Sequence, residues 1–199
     1  MSDFRVLQDI SLRLRTVLFS GLNGSEFTSE NNISLDSPAE LEGRGNRNVL
    51  LSLYLYHVLP NTHMNNYNLI PVGNDQHQYP PLSLDLFYLL TPVSNSPEEN
   101  LVILGHAMQI LAANPIIGAN FLDSLLRPNP PEIRVTVNPV DLEELTRIWN
   151  AFNEPYRLSV CYKVQSASLD SVRTPLQEAD VVEGLIDVHQ IVSEPEGTS

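Results

Sequence analysis

Cysteine occurs once in 199 residues, at Cys161, and lysine once, at Lys163. A lone cysteine excludes an internal disulfide and a four-thiolate zinc site. Basic residues are scarce beside acidic ones, 11 against 24, for a formal net charge of −13. That balance argues against a nucleic-acid binder, which needs clustered positive charge to meet phosphate. Long apolar runs are missing. The most apolar stretch, Val49 to Leu59, falls far short of the roughly 20 residues that cross a bilayer. Asp3, Arg5, Asp9, Arg13 and Arg15 interrupt the N-terminal stretch too often for a signal peptide, so the expectation is synthesis and folding in the cytoplasm, without membrane insertion. Nucleotide and hydrolase signatures are lacking as well. Gly43-Arg44-Gly45 has neither the third glycine nor the preceding strand of a dinucleotide fingerprint, and there is no Walker loop, HExxH or GxSxG.

What the chain does have is a hydrophobic fraction of 42%, enough for a real core. Its length suits one domain, or one domain with a tail. Leu7, Ile10, Leu14 and Val17 recur at helical spacing over residues 4 to 20, with Gly21 as a stop. Ile33 to Asp36 reads as an edge strand. Val49 to Val58 reads as a central strand covered on both sides, because both of its faces are largely apolar. A long Asn-rich loop, Pro60 to Pro81, separates it from a second strand, Leu82 to Leu90. Ser96-Pro97-Glu98-Glu99 has the form of a helix start. The helix it opens runs to about Ala113, with Leu101, Leu104, Met108 and Leu111 as the inward stripe; Gly105 on it is read as a tolerated helix glycine. Ile133, Val135 and Val137 point inward from a third strand. Leu142, Leu145, Trp149 and Phe152 pack on the sheet from a helix over 141–152, and a fourth strand, Leu158 to Val164, carries Leu158, Val160, Tyr162 and Val164 on one face. The order helix, strand, strand, helix, strand, helix, strand predicts an α/β (α+β) fold: a small mixed sheet of about four strands with helices against it.

Composition changes at residue 166. Seven carboxylates beyond that point oppose Arg173 alone, yet Val181, Leu185 and Val188 are interspersed among them. A purely solvating tail would lack such residues, so the expected division is one domain over 1–165 and an acidic partner-docking arm over 166–199.

Few residues invite chemistry. His57, His63 and His77 match no ligand spacing and read as scattered surface histidines. Asp85 sits mid-strand among apolar neighbours, where an isolated carboxylate is costly. It is expected to face a helix terminus, an arginine or a subunit boundary; the hydrolase reading, Asp85 with a loop histidine, has no motif behind it. Cys161 and Trp149 read as core residues. The sequons at Asn23 and Asn32 read as chance matches in an Asn-rich loop. No metal or cofactor is implied.

Four segments together resemble a known family. They are Val49 to Tyr56 with the loop after it; Pro80-Pro81-Leu82-Ser83-Leu84-Asp85-Leu86-Phe87-Tyr88-Leu89-Leu90-Thr91-Pro92; Leu104-Gly105-His106-Ala107-Met108-Gln109-Ile110-Leu111, ending near Asn114-Pro115; and Leu145 to Trp149, followed by Pro155 to Val164. In this order they are similar to the cap, or tail-terminator, proteins of phage-tail-like contractile injection systems, over about Phe4 to Val164. The second segment is the most specific. The resemblance implies a structural, non-enzymatic protein: a six-fold ring of identical subunits at the distal end of the particle. There it would contact the last rings of inner tube protein and contractile sheath protein, ending their growth and anchoring the sheath. Six copies each carrying −13 must close against like-charge repulsion, so Arg44, Arg47, Arg134 or Arg157 is expected at an interface, with Val181, Leu185 and Val188 contributing from the arm. A free-standing cytoplasmic adaptor is the alternative and would be a monomer or dimer.

Overall fold

The computed structural model describes residues 5–24, 27–44, 48–61, 70–71, 76–79, 82–118, 132–169 and 176–177. Four α-helices, α1 (Val6–Leu22), α2 (Pro38–Arg44), α3 (Pro97–Ala113) and α4 (Leu142–Ala151), accompany nine strands. These are β1 (Ile33–Ser34), β2 (Leu51–Pro60), β3 (Ile70–Pro71), β4 (Gln76–Gln78), β5 (Leu82–Pro92), β6 (Ile116–Ile117), β7 (Ile133–Val137), β8 (Val160–Leu169) and β9 (Leu176–Gln177). Six strands form the main sheet in the order β1-β2-β5-β8-β7-β6, antiparallel throughout except for the parallel β1–β2 pair. A second sheet, β3-β4-β9, joins the loop between β2 and β5 to the segment after β8. The α/β architecture and the expected helix–strand order are both present; the main sheet has six strands rather than about four. The described strands also run past residue 165, to Leu169 and then β9.

One face of the main sheet makes the principal core. Leu51 and Leu53 of β2, Leu84, Leu86, Tyr88 and Leu90 of β5, and Tyr162 and Val164 of β8 meet α1 and α3 there. From α1 come Val6, Ile10, Leu14, Val17 and Leu18, the 3.6-residue stripe legible in the sequence. Ser11 on the same helix bonds the Tyr88 hydroxyl at 2.8 Å, which satisfies that buried polar tip, whereas the Tyr162 hydroxyl in the same core has no hydrogen-bond partner among the described residues. Helix α1 does not stop at Gly21. It continues to Leu22, and a Cβ on Gly21 would lie 2.6 Å from Ile110 Cδ1, so glycine is there because α1 and α3 cross closely. Nothing lies within 4 Å of a Cβ on Gly105, a tolerated helix glycine as expected.

The helix ends follow their local chemistry. Ser96 Oγ accepts from the Glu99 amide and Pro97 opens α3; Asp141 accepts from the Glu144 amide at 2.8 Å to open α4. Asn153, at φ 58, ends α4 in the left-handed region that asparagine tolerates. Asn32 of the second sequon is buried. Its side chain accepts from the Thr28 and Ser29 amides and donates to the Asn48 carbonyl, which is a structural role.

Several inward assignments are corrected. Leu101 is 61% exposed and Leu142 is 64% exposed. Val137 lies half in solvent; Leu158, expected to open the fourth strand, is half-exposed and precedes β8, which begins at Val160. The residues that α3 buries are Ile103, Leu104, Ala107, Ile110 and Leu111. Strand β2 is not covered along its length: Leu51 to Leu53 are buried, whereas His57 to Pro60 are exposed.

Candidate interaction surface

The opposite face of the main sheet is built differently. Its lower half is closed by α4, whose Trp149 packs with Leu89 and Cys161 in a small second cluster. Trp149 Nε1 donates to Ser159 Oγ at 3.1 Å, and the Tyr54 and Tyr156 rings flank the aromatic pair Trp149–Phe152. Trp149 and Cys161 are therefore core residues, as the sequence suggested. Burial pushes the Cys161 thiol above its ordinary value, which keeps it a protonated, inert packing group near neutral pH.

Among the described residues, no helix covers the upper half of this face. Two register shifts set what it displays. One falls at Tyr56 of β2; the other lies opposite Asp85, where β8 carries an extra residue. They bring His57, Phe87 and Lys163 side by side, with Asp85 next along β5. The His57 ring lies 5.7 Å from that of Phe87, and Lys163 Nζ stands 5.8 Å from the Phe87 centroid. Alternation along β7 puts Arg134 and Thr136 on the same face, since Val135 points into the principal core. His57, Leu59, Arg134 and Thr136 are exposed.

Asp85 finds its partner here. Lys163 Nζ lies 2.8 Å from Oδ2, and Asn61 Nδ2 donates to Oδ1 at 2.9 Å. The only lysine of the chain thus neutralises a carboxylate whose side chain is 12% exposed. Neither a helix terminus nor an arginine is involved. A carboxylate held by an ammonium and an amide is a structural pair, with no substrate-facing proton acceptor in view. Among the described residues no group of three or more His, Cys, Asp or Glu is placed to hold a metal ion. His63 lies outside the described residues, and of His77 only the backbone in β4 is described.

The expected interface residues are not gathered in one place. Arg134 is exposed on β7, on the open half-face. Arg157 is half-buried beyond α4, where its carbonyl accepts from Ser159 Oγ. The backbone of Arg44 closes α2. Arg47, Val181, Leu185 and Val188 lie outside the described residues. Sequence reading did not single out Phe87 or Lys163. Their meeting with Asp85 depends on the β5–β8 register, which no local pattern encodes.

The Pvc16 N-terminal domain family matches residues 9–183. No curated protein matches the chain. Two solved structures share its fold. One is the PVC sheath/tube terminator of an extracellular contractile injection system in its extended state. It is 17% identical, with a TM-score of 0.58, over 97% of this chain and 64% of that one. The other is the anti-feeding prophage cap, a tube terminating cap. It is 15% identical, with a TM-score of 0.55, over 94% of this chain and 61% of that one. The chain thus spans less than two thirds of the length of either structure. With nearly the whole described fold inside the matched region, the chain belongs to the Pvc16 N-terminal domain family.

Proposed function

We propose that this protein is a structural cap of a phage-tail-like contractile injection system. It ends the inner tube and sheath at their distal tip, and it performs no chemistry of its own. The observation that carries the reading is the joint one: family membership over residues 9–183, and a fold shared over nearly the full chain with two tube terminators. The physics of the chain is consistent with it. A paired carboxylate, an inert thiol and an open sheet face with exposed aromatic and basic groups suit recognition rather than turnover.

The cap would act as a ring of identical subunits, six on a six-fold tube, resting on the last ring of tube protein and touching the last ring of sheath. Head-to-tail contacts that close on themselves give such a ring and leave no free end to extend. Arg44, Arg47, Arg134 and Arg157 would contribute to its interfaces. The acidic segment carrying Val181, Leu185 and Val188 would dock on a neighbouring sheath subunit and hold it during contraction, its backbone supplying hydrogen bonds and its side chains register.

Deleting the gene from the producing cells and measuring particle lengths by electron microscopy tests the reading. Tubes and sheaths of irregular, extended length are expected, with length control restored by the full chain. Uniform particles of normal length in its absence overturn it. A truncation after Gln177 separates the arm from the cap: tube ends should stay capped while sheaths detach on contraction.

A further inference from the structure

Helix α3 is apolar on more sides than its own fold uses. It buries Ile103, Leu104, Ala107, Ile110 and Leu111 against the sheet, yet from Asn100 to Ala113 it carries no Asp, Glu, Lys or Arg at all. Its exposed residues are instead Leu101, Val102, Gly105, His106, Gln109, Ala112 and Ala113, none of them an acid, a lysine or an arginine, with Val102 71% exposed. In a chain with a net charge of −13, a solvated helix face would be expected to carry charge, as α4 does with Glu143, Glu144 and Arg147. A helix whose outer face combines exposed leucine and valine with neutral polar groups suits a place between two layers, and the described residues supply only one.

The missing layer has a counterpart on the far side of the same subunit. The upper half of the opposite sheet face presents exposed His57, Leu59, Arg134 and Thr136 around a half-buried Phe87, and among the described residues no helix covers them. Helix on sheet is the packing that both surfaces lack. Their charges are complementary: Glu98 is exposed at the start of the α3 stripe, and Arg134 is exposed on the open sheet. Because one surface lies on the α1–α3 side of the sheet and the other on the α4 side, they cannot meet within one chain.

We propose that α3 of one copy packs on the open half-sheet of the next, so that each subunit completes the layer its neighbour lacks. The contact is head-to-tail and uses two unlike patches, the arrangement that closes into a ring. This assignment rests on the capping reading for its biological setting, but it concerns only how copies of the chain meet.

Two substitutions at exposed positions test it in the full-length protein: Val102→Glu spoils the α3 patch and Arg134→Glu the sheet patch. Sedimentation over a concentration series should show the wild type self-associating. Each variant alone, with an unchanged circular dichroism melt, should associate at least about tenfold more weakly. An equimolar mixture of the two variants should form a one-to-one dimer and nothing larger, because one intact junction remains between them: the sheet patch of Val102→Glu with α3 of Arg134→Glu. A monomeric wild type, a variant that associates like the wild type, or a mixture that stays monomeric overturns the proposal. These outcomes leave the particle-length experiment untouched. A protein that caps tubes while ignoring both substitutions keeps its function and loses this interface; normal mixing with normal-length particles in the gene's absence does the reverse.

Discussion

The two faces of the main sheet follow different rules. Against α1 and α3 the sheet is dry and continuous, with Leu18, Leu51, Leu86, Tyr88, Leu90 and Val164 fully shielded from solvent. Against α4 it is a three-residue cluster of Leu89, Trp149 and Cys161, beyond which His57, Leu59, Arg134 and Thr136 are exposed around the half-buried Phe87 and Lys163. The first face is where hydrophobic burial makes the fold. The second combines a small apolar cluster with a paired carboxylate, Asp85 with Lys163 and Asn61, and leaves several strand residues exposed. A subunit of an assembly can be built this way, with a self-sufficient core on one side and an unfinished layer on the other.

The contrast predicts graded responses. Leu90→Ala in the principal core should cost about 3 kcal/mol of global stability, seen as a lower urea midpoint with unchanged slope. Trp149→Ala should instead raise hydrogen exchange in α4 while α1 and α3 keep their protection. If Trp149→Ala unfolds the whole chain, the two faces are not separable.

Alkaline pH addresses the same core more gently. Burial pushes the Tyr88 hydroxyl up to about 12 from 10.0, with the Ser11 bond acting in the opposite direction. The unfolded chain therefore gives up this proton first. Stability is intact below pH 10 and falls by roughly 2–3 kcal/mol as pH rises towards 12. Tyr88→Phe should flatten that fall without abolishing it, because burial also raises Tyr56 and Tyr162. Chemical denaturation between pH 9 and 12 reads it directly; an unchanged slope would mean that the core admits water.

The smallest effect belongs to the open face. Lys163→Ala leaves the Asp85 carboxylate with Asn61 alone and should cost about 1–2 kcal/mol, less than in a sealed interior because the lysine side chain is 29% exposed. Replacing both partners, Asp85→Leu with Lys163→Met, should bring stability back to near the starting value. A double variant as weak as the single one would show that the pair does more than balance charge.

Much of the fold was legible because long elements repeat their pattern. Helix α1, strands β2, β5 and β8, and the Ser96 and Asp141 caps announce themselves through period and end chemistry. Strands β1, β3, β4, β6 and β9 have two or three residues each, too few to show a period, so the main sheet reads narrower than it is. The mistaken inward placement of Leu101 has a different origin. When a helix is apolar on several sides, periodicity cannot say which side meets its own core. The partner of Asp85 was out of reach for another reason: a cross-strand pair is set by register, and the register here shifts twice.

The margins of the sheet carry one last implication. Its outermost strands, β1 and β6, have two residues each. A stub of that length covers little of the strand inside it: β1 pairs only with Leu51 and Ser52, so among the described residues β2 has no strand partner on its outer side from Leu53 to Pro60, the kind of edge to which a further strand can add.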